Sequence, residues 1–176
     1  LKCDLTVISM SGYWHNMNYS LPVAPSPNLR TDESIQLYPG LCFFEGTSVS
    51  VGRGTETPFE IYGHPNFPKT DFSFTPKSSE GAKHPLLENK LCNGYNLHEA
   101  GGMKASRLDL SYLIEAQKLL KDNAEFITNE SFFNKLAGNT TLLKQIQSGM
   151  NEKEIRQKWK ADLDAFKKIR AKYLLY

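Results

Sequence analysis

The chain has 176 residues, 21 lysines and arginines against 19 acids, a formal charge of +2 and a 40% hydrophobic content. That balance fits one ordinary globular domain. It makes no case for nucleic acid, which calls for a basic run, and no apolar run is long enough to span a bilayer.

Cys3 to Ser9 is a short, apolar, partly β-branched run that reads as a buried strand, ending at the turn signal Ser9-Met10-Ser11-Gly12. A domain seldom starts in its own core, so the opening on Leu1 is expected to belong to a longer or processed polypeptide. Tyr13-Trp14-His15 follows, then Leu21 to Asn28 with three prolines, an extended and rigid stretch. Such a loop either presents Ser26 and Asn28 at small entropic cost or serves as a plain connector. Thr31-Asp32-Glu33-Ser34 has the hydroxyl and the acids of a helix start. Pro39-Gly40 is expected to end that helix, and Leu41 to Phe44 is a second helical turn or a short strand.

Tyr38 to Pro65 is the stretch richest in chemistry. Four glycines (Gly40, Gly46, Gly52, Gly54) interleave with Glu45, Arg53 and the hydroxyls of Thr47, Ser48, Ser50 and Thr55. An arginine between two glycines presents a planar five-donor fork from a tight turn, suited to a carboxylate or phosphate. Equally, Arg53 can pair internally with Glu45. Leu41 to Phe44 on one side, and Phe59, Ile61 and Tyr62 on the other, should pin the loop to a core.

Pro58 to Tyr62 reads as a strand stopped by Gly63-His64-Pro65. Residues 66–90 read as a long surface loop around a short strand, Phe72 to Thr75. Leu91 to Leu97 is a further strand with Gly94 as a possible bulge, and Gly101-Gly102 closes this section. From Arg107 the period turns helical: Leu110, Leu113, Ile114, Ala116 and Leu120 share a face capped near Asp109. Phe126 to Ala137 holds short helical or irregular pieces, and Thr140 to Ser148 a short helix ending at Gly149. Asn151 to Glu154 forms a capping box for a long last helix with the stripe Ile155, Trp159, Leu163, Phe166, Ile169, Tyr173. The expected fold is α/β or α+β, a small mixed sheet with long loops, covered by C-terminal helices.

Cys3, Cys42 and Cys92 lie far apart without a CxxC and in apolar settings, so a zinc site or disulfide framework is not expected; one disulfide stays open. His15, His64, His84 and His98 show no metal-ligand spacing, although His64 and His98 end strand candidates and so can reach a site. Glycosidic chemistry needs two carboxyl groups across a pocket; the candidates are Glu45, Glu56, Glu60, Asp32 and Glu33, with Glu45 best placed among glycines and aromatics. No nucleophile elbow or phosphate loop is present.

Ser26-Pro27-Asn28, Tyr38-Pro39-Gly40, Phe44-Glu45-Gly46-Thr47, Gly52-Arg53-Gly54-Thr55 and Pro58-Phe59 occur in an order and spacing that resembles the NamZ-like family. Lys83-His84, Cys92-Asn93-Gly94, Leu97-His98 and the closing Trp159, Phe166, Arg170 and Tyr173 to Tyr176 extend the resemblance over nearly the whole chain. The family comprises bacterial exo-β-N-acetylmuramidases, long catalogued as a domain of unknown function. The resemblance implies a peptidoglycan-active glycosidase that removes N-acetylmuramic acid from non-reducing ends. It implies a Rossmann-like N-terminal domain carrying the catalytic carboxylate and a cleft between two domains. Residues 1–176 then correspond to the C-terminal, auxiliary domain, inactive alone, with Lys2 to Ser9 a strand tying it to the other half.

For such a substrate, the chemistry of a glycine-flanked guanidinium, and not the resemblance itself, makes Arg53 the expected partner of the lactyl carboxylate. Glu45 and Asn28 are expected to hydrogen-bond the sugar, and Tyr38 and Trp14 to stack on its ring. The substrate-binding set is Ser26, Asn28, Tyr38, Glu45, Thr47, Arg53, Thr55 and His64. The catalytic residues stay unassigned, with Glu45 a candidate. No cofactor and no metal are expected. The expected partners are the N-terminal domain and a peptidoglycan-derived saccharide, and the expected location is periplasmic or extracellular. The competing reading is a non-catalytic carbohydrate-binding or domain-docking module of an inactive homologue.

Overall fold

The computed structural model describes residues 3–15, 17–98, 107–121 and 124–175. Lys2, Gly101-Gly102 and Tyr176, named above, lie outside them. The described elements run α1 (Asp32–Leu41), a tight 3-10 segment (Cys42–Gly46), β1 (Ile61–His64), β2 (Phe72–Phe74), β3 (Cys92–Asn96), α2 (Ser111–Leu120), α3 (Glu130–Ala137), α4 (Thr141–Gln147) and α5 (Glu152–Arg170). The sheet is antiparallel throughout, with β3 in the middle, β1 on one side and β2 on the other.

α1 starts where the hydroxyl and acids placed it. Thr31 Oγ1 accepts from the Ser34 amide at 3.0 Å, and Ser34 answers the Thr31 amide at 3.2 Å, closing a capping box. Pro39-Gly40 does not end the helix, contrary to expectation. Pro39 removes one internal hydrogen bond, yet Leu37, Gly40 and Leu41 are buried on either side of it and hold the helix through the proline. Gly40 lies against the start of the next helix so closely that a Cβ there would sit 2.6 Å from the Asp109 carbonyl oxygen.

The undecided Leu41 to Phe44 stretch continues α1 and then tightens into the 3-10 segment, driving Leu41, Phe43 and Phe44 into the core. There Phe44 stacks on Tyr62 at 5.4 Å between ring centroids, and Tyr62 on Tyr95 at 5.2 Å. One continuous cluster joins these residues to Leu110, Leu113 and Leu120 of the α2 region, Phe133, Leu142, Leu143, Ile146 and Ile155. Each such side chain contributes roughly 1.5–3 kcal/mol by burial. The opposite face of the sheet carries a smaller cluster of Ile61, Phe74 and Cys92. Helices cover the larger face, so the small-sheet-and-helices architecture stands.

Three strand expectations shift. β1 begins at Ile61 and runs through Gly63-His64 instead of stopping there, because Gly63 and His64 pair with Gly94 and Asn93. Gly94 is no bulge: it pairs in register with both Gly63 and Phe72. It is glycine because a Cβ would lie 2.2 Å from the Tyr62 carbonyl oxygen. Finally, Cys3 to Ser9 is not a buried strand. Leu5, Val7 and Ile8 are exposed, and no described residue offers this run a hydrogen-bonding neighbour.

α5 opens on the expected box, with Asn151 and Glu154 exchanging hydrogen bonds at 2.9 and 3.1 Å. Its first turns dock: Ile155 is buried, Trp159 packs on the core, and Arg156 donates to the Leu108 carbonyl and, at 2.6 Å, to Glu152. Beyond Trp159 the apolar stripe is uncovered, with Leu163, Phe166, Ile169 and Tyr173 all exposed.

Candidate functional site

The central loop is held at both ends by backbone hydrogen bonds. Ser50 and Gly63 exchange a pair at 3.0 and 2.9 Å, the Phe59 amide reaches the Val51 carbonyl at 2.8 Å, and the Lys77 amide reaches Gly54 at 2.9 Å. On the other side, the Ser48 amide donates to Phe126 and the Thr128 amide to Gly46. The loop is therefore braced from the sheet and from the segment leading into α3.

Arg53 rides the tip of this frame between Gly52 and Gly54, whose φ angles are +75° and +81°. Both are left-handed values that favour glycine. At Gly54 a side chain would also meet the Lys77 carbonyl oxygen at 2.3 Å. Arg53 Nη2 lies 3.2 Å from Glu45 Oε1, and its guanidinium carbon sits 5.1 Å above the centre of the Phe59 ring. The side chains of Arg53 and Glu45 are 37% and 23% exposed, so the pair is neither sealed nor fully solvated. Phe59, at φ +62°, is one of three non-glycine residues in the left-handed region among the described residues, and Tyr38 meets it edge-on at 5.0 Å.

Beside this pair opens a cleft of about 240 Å³ lined by Phe44, Glu45, Thr47, Val49, Ser50, Val51, Arg53, Leu86 and Thr128. It combines a guanidinium, a carboxylate and hydroxyls with an apolar wall, which suits a small polar ligand with an anionic group. Burial, with the Glu45 charge next, raises the Tyr38 hydroxyl pKa. The same two causes push the Cys42 thiol up to about 11. Tyr38 and Cys42 therefore stay neutral near the cleft at ordinary pH.

Of the expected binding residues, Glu45, Thr47 and Arg53 line the cleft. Thr47 is committed to the backbone: its hydroxyl donates to Phe44 at 2.8 Å and accepts from the Val49 amide at 3.1 Å. Thr55 closes its own turn through a 2.7 Å bond to the Gly52 carbonyl. Asn28 is buried and donates to the Gly81 carbonyl at 2.8 Å, while Ser26 Oγ accepts from the Asn28 amide. The Pro-rich loop thus ties itself to the 79–82 turn. His64 is buried at the end of β1, and its Nδ1 accepts from the Asn66 amide at 3.0 Å. Tyr38 buttresses Phe59, and Trp14 stands exposed on the N-terminal coil.

Sequence reasoning missed Leu86 and Thr128, which reach the cleft from distant loops with no local motif to mark them. A second convergence also forms away from the cleft. Glu33 on the first turn of α1, Glu60 ahead of β1 and His98 after β3 bring their ligand atoms within 4.8 Å of one another.

The family described as "Exo-beta-N-acetylmuramidase NamZ, C-terminal" matches residues 36–176. The peptidoglycan beta-N-acetylmuramidase NamZ of Bacillus subtilis is 34% identical across all of this chain and 46% of its own length. The crystal structure of a DUF1343 family protein from Bacteroides fragilis superposes with a TM-score of 0.87 at 44% identity, covering 99% of this chain and 49% of that one. A second B. fragilis protein of that family superposes with a TM-score of 0.62 at 15% identity over 88% of this chain, a likeness of fold. The chain spans about half the length of these relatives.

Proposed function

The chain belongs to the NamZ C-terminal family, and on that premise we propose that it is the C-terminal part of a peptidoglycan-active exo-β-N-acetylmuramidase. In this reading its 240 Å³ cleft forms one wall of the substrate site. The observation that carries the reading is the Arg53 guanidinium, held by flanking glycines and the Phe59 face at the cleft mouth and still 37% exposed. An incoming lactyl carboxylate of N-acetylmuramic acid takes the donors that Glu45 leaves free, and Glu45 keeps the fork oriented. Charge-assisted bonds of this type are the strong ones in a partly desolvated site.

The remaining half of the longer protein supplies the catalytic carboxylates and acts as this chain's partner. Two apolar surfaces support such a partner. Leu5, Val7 and Ile8 are exposed at one end, and Leu163, Phe166, Ile169 and Tyr173 form an uncovered stripe on α5. Uncovered apolar side chains in such runs mark contact surfaces. The proposed cell-wall substrate supports a location outside the cytoplasm, in the periplasm or the extracellular space.

One observation favours a second reading, a carbohydrate-binding or docking module. Asn28, Thr47 and Thr55 spend their side-chain hydrogen bonds on the chain's own backbone. The test is hydrolysis of a chromogenic β-N-acetylmuramic acid glycoside by the longer protein and by residues 1–176. Turnover by the longer protein, reduced at least tenfold by Arg53→Ala, supports the cleft reading. Turnover unaffected by that change overturns it in favour of docking, and turnover by residues 1–176 moves catalysis to Glu45 or a neighbour.

A further inference from the structure

The group formed by Glu33, Glu60 and His98 lies outside the cleft and is unexplained by it. Glu60 is 5% exposed, an unusual place for a carboxylate. The Thr31 hydroxyl donates to Glu60 Oε1, and Glu33 Oε2 contacts His98 Nδ1. Thr31 is doubly fixed, since its oxygen also accepts the Ser34 amide that starts α1. Glu60 is fixed from its backbone: its carbonyl accepts the Leu97 amide at 2.8 Å, and its amide reaches Thr57 at 3.2 Å. Phe59, just before it, sits at φ +62°, a conformation that costs free energy and turns the chain so that Phe59 enters the core.

The charge balance of this group is incomplete. Two carboxylates face one imidazole, and among the described residues no lysine or arginine pairs with Glu33 or Glu60. The nearest arginine in sequence, Arg30, is engaged elsewhere, 3.6 Å from Glu56 and 2.7 Å from the Pro27 carbonyl. Holding a carboxylate in the interior without a cation is costly. The positive end of α1 offsets part of that cost.

We propose that Glu33, Glu60 and His98 bind a divalent transition-metal ion of the zinc class. Imidazole with carboxylate oxygen suits zinc over magnesium or calcium, which take oxygen donors. Zinc holds such donors at about 2.0–2.2 Å, so the three must close to roughly 3.5 Å of one another. His98, with a side chain 63% exposed, and Glu33, on a helix end, have the freedom to make that small rotation. Glu60 is the anchor, and Thr31 orients it as an outer partner commonly orients a metal ligand. Three protein ligands leave a fourth position for water. The bound ion would fasten the start of α1, the entry to β1 and the exit of β3.

The experiment uses residues 1–176 stripped with EDTA, in a Cys3→Ser background that removes the exposed thiol as a competing ligand. Zinc chloride alone is the probe, followed by calorimetric titration and thermal unfolding. The expected result is one zinc per chain with micromolar or tighter affinity and a rise in Tm, and no rise with magnesium or calcium. Glu60→Gln keeps the shape and should weaken zinc at least tenfold. His98→Ala, at an exposed position, should do the same without lowering the metal-free Tm. No zinc binding at 100-fold excess, or equal affinity in the His98→Ala variant, overturns the proposal. Neither readout depends on hydrolysis, so failure here leaves the muramidase reading untouched, and failure of that reading leaves this one standing.

Discussion

Arg53 Nη2 reaches Glu45 Oε1 at 3.2 Å while its guanidinium covers the Phe59 ring at 5.1 Å, so one side chain joins the 3-10 segment to the entry of the sheet. The ion pair is partly exposed, and by itself is worth little more than about 1 kcal/mol. Its weight is therefore expected in binding. Arg53→Lys keeps the charge and loses the planar fork. In the longer muramidase proposed above, it should raise KM for a muramic acid glycoside about tenfold while Tm changes little. Steady-state kinetics beside a melting curve checks both halves.

His64 predicts a pH dependence of stability. Burial, with the Lys90 charge second, lowers its pKa below the usual 6.5. The unfolded state then binds the proton more readily than the folded one, so stability falls as pH drops below about 6.5 and levels off below the folded value. His64→Gln should flatten that part of the profile. Urea unfolding at several values between pH 5 and 7.5 reads the slope, and an unchanged slope in the variant refutes the assignment.

The cysteines should separate by reactivity. Burial pushes the thiols of Cys42 and Cys92 up to about 11, leaving roughly 0.1% thiolate at pH 8. Cys3 is exposed. Brief iodoacetamide treatment of residues 1–176 at pH 8 should modify Cys3 first, by more than tenfold, as read by peptide mass spectrometry. Labelling of buried Cys92 at the same rate would mean that the sheet opens readily.

Phe166 tests the uncovered stripe. Phe166→Asp should leave the stability of residues 1–176 within about 0.5 kcal/mol, because the side chain is exposed there. Trp159→Asp should cost several times more, since Trp159 packs on the core. In the longer protein, Phe166→Asp should lower Tm clearly if another domain covers the stripe. Equal melting of the two long forms would show that nothing does.

The local signals were legible in the residues alone. Thr31 with Ser34 and Asn151 with Glu154 announced two helix starts, because a capping box is closed within four residues. The stripe of Leu110, Leu113, Ile114, Ala116 and Leu120 announced a buried helix face for the same reason of short range. The density of glycine, charge and hydroxyl between Tyr38 and Pro65 also marked the loop that carries Arg53 and Glu45 into the cleft. Pro39-Gly40 misled, because burial on both sides of the proline outweighs one lost hydrogen bond.

What tertiary structure decided was which polar groups are engaged and which meet. Asn28 is spent on Gly81, 53 positions away, and Thr128 enters the cleft because its amide and its hydroxyl both donate to the Gly46 carbonyl, 82 positions away. Cys3 to Ser9 has the composition of a strand, but a strand forms only beside a hydrogen-bonding neighbour, and the described residues provide none. Glu33, Glu60 and His98 look like three unrelated polar residues in order along the chain. They converge because β1 and β3 pair from Ile61 to Asn96, which sets Glu60 beside Leu97-His98, and the start of α1 meets that end through Thr31 to Glu60 and Glu33 to His98.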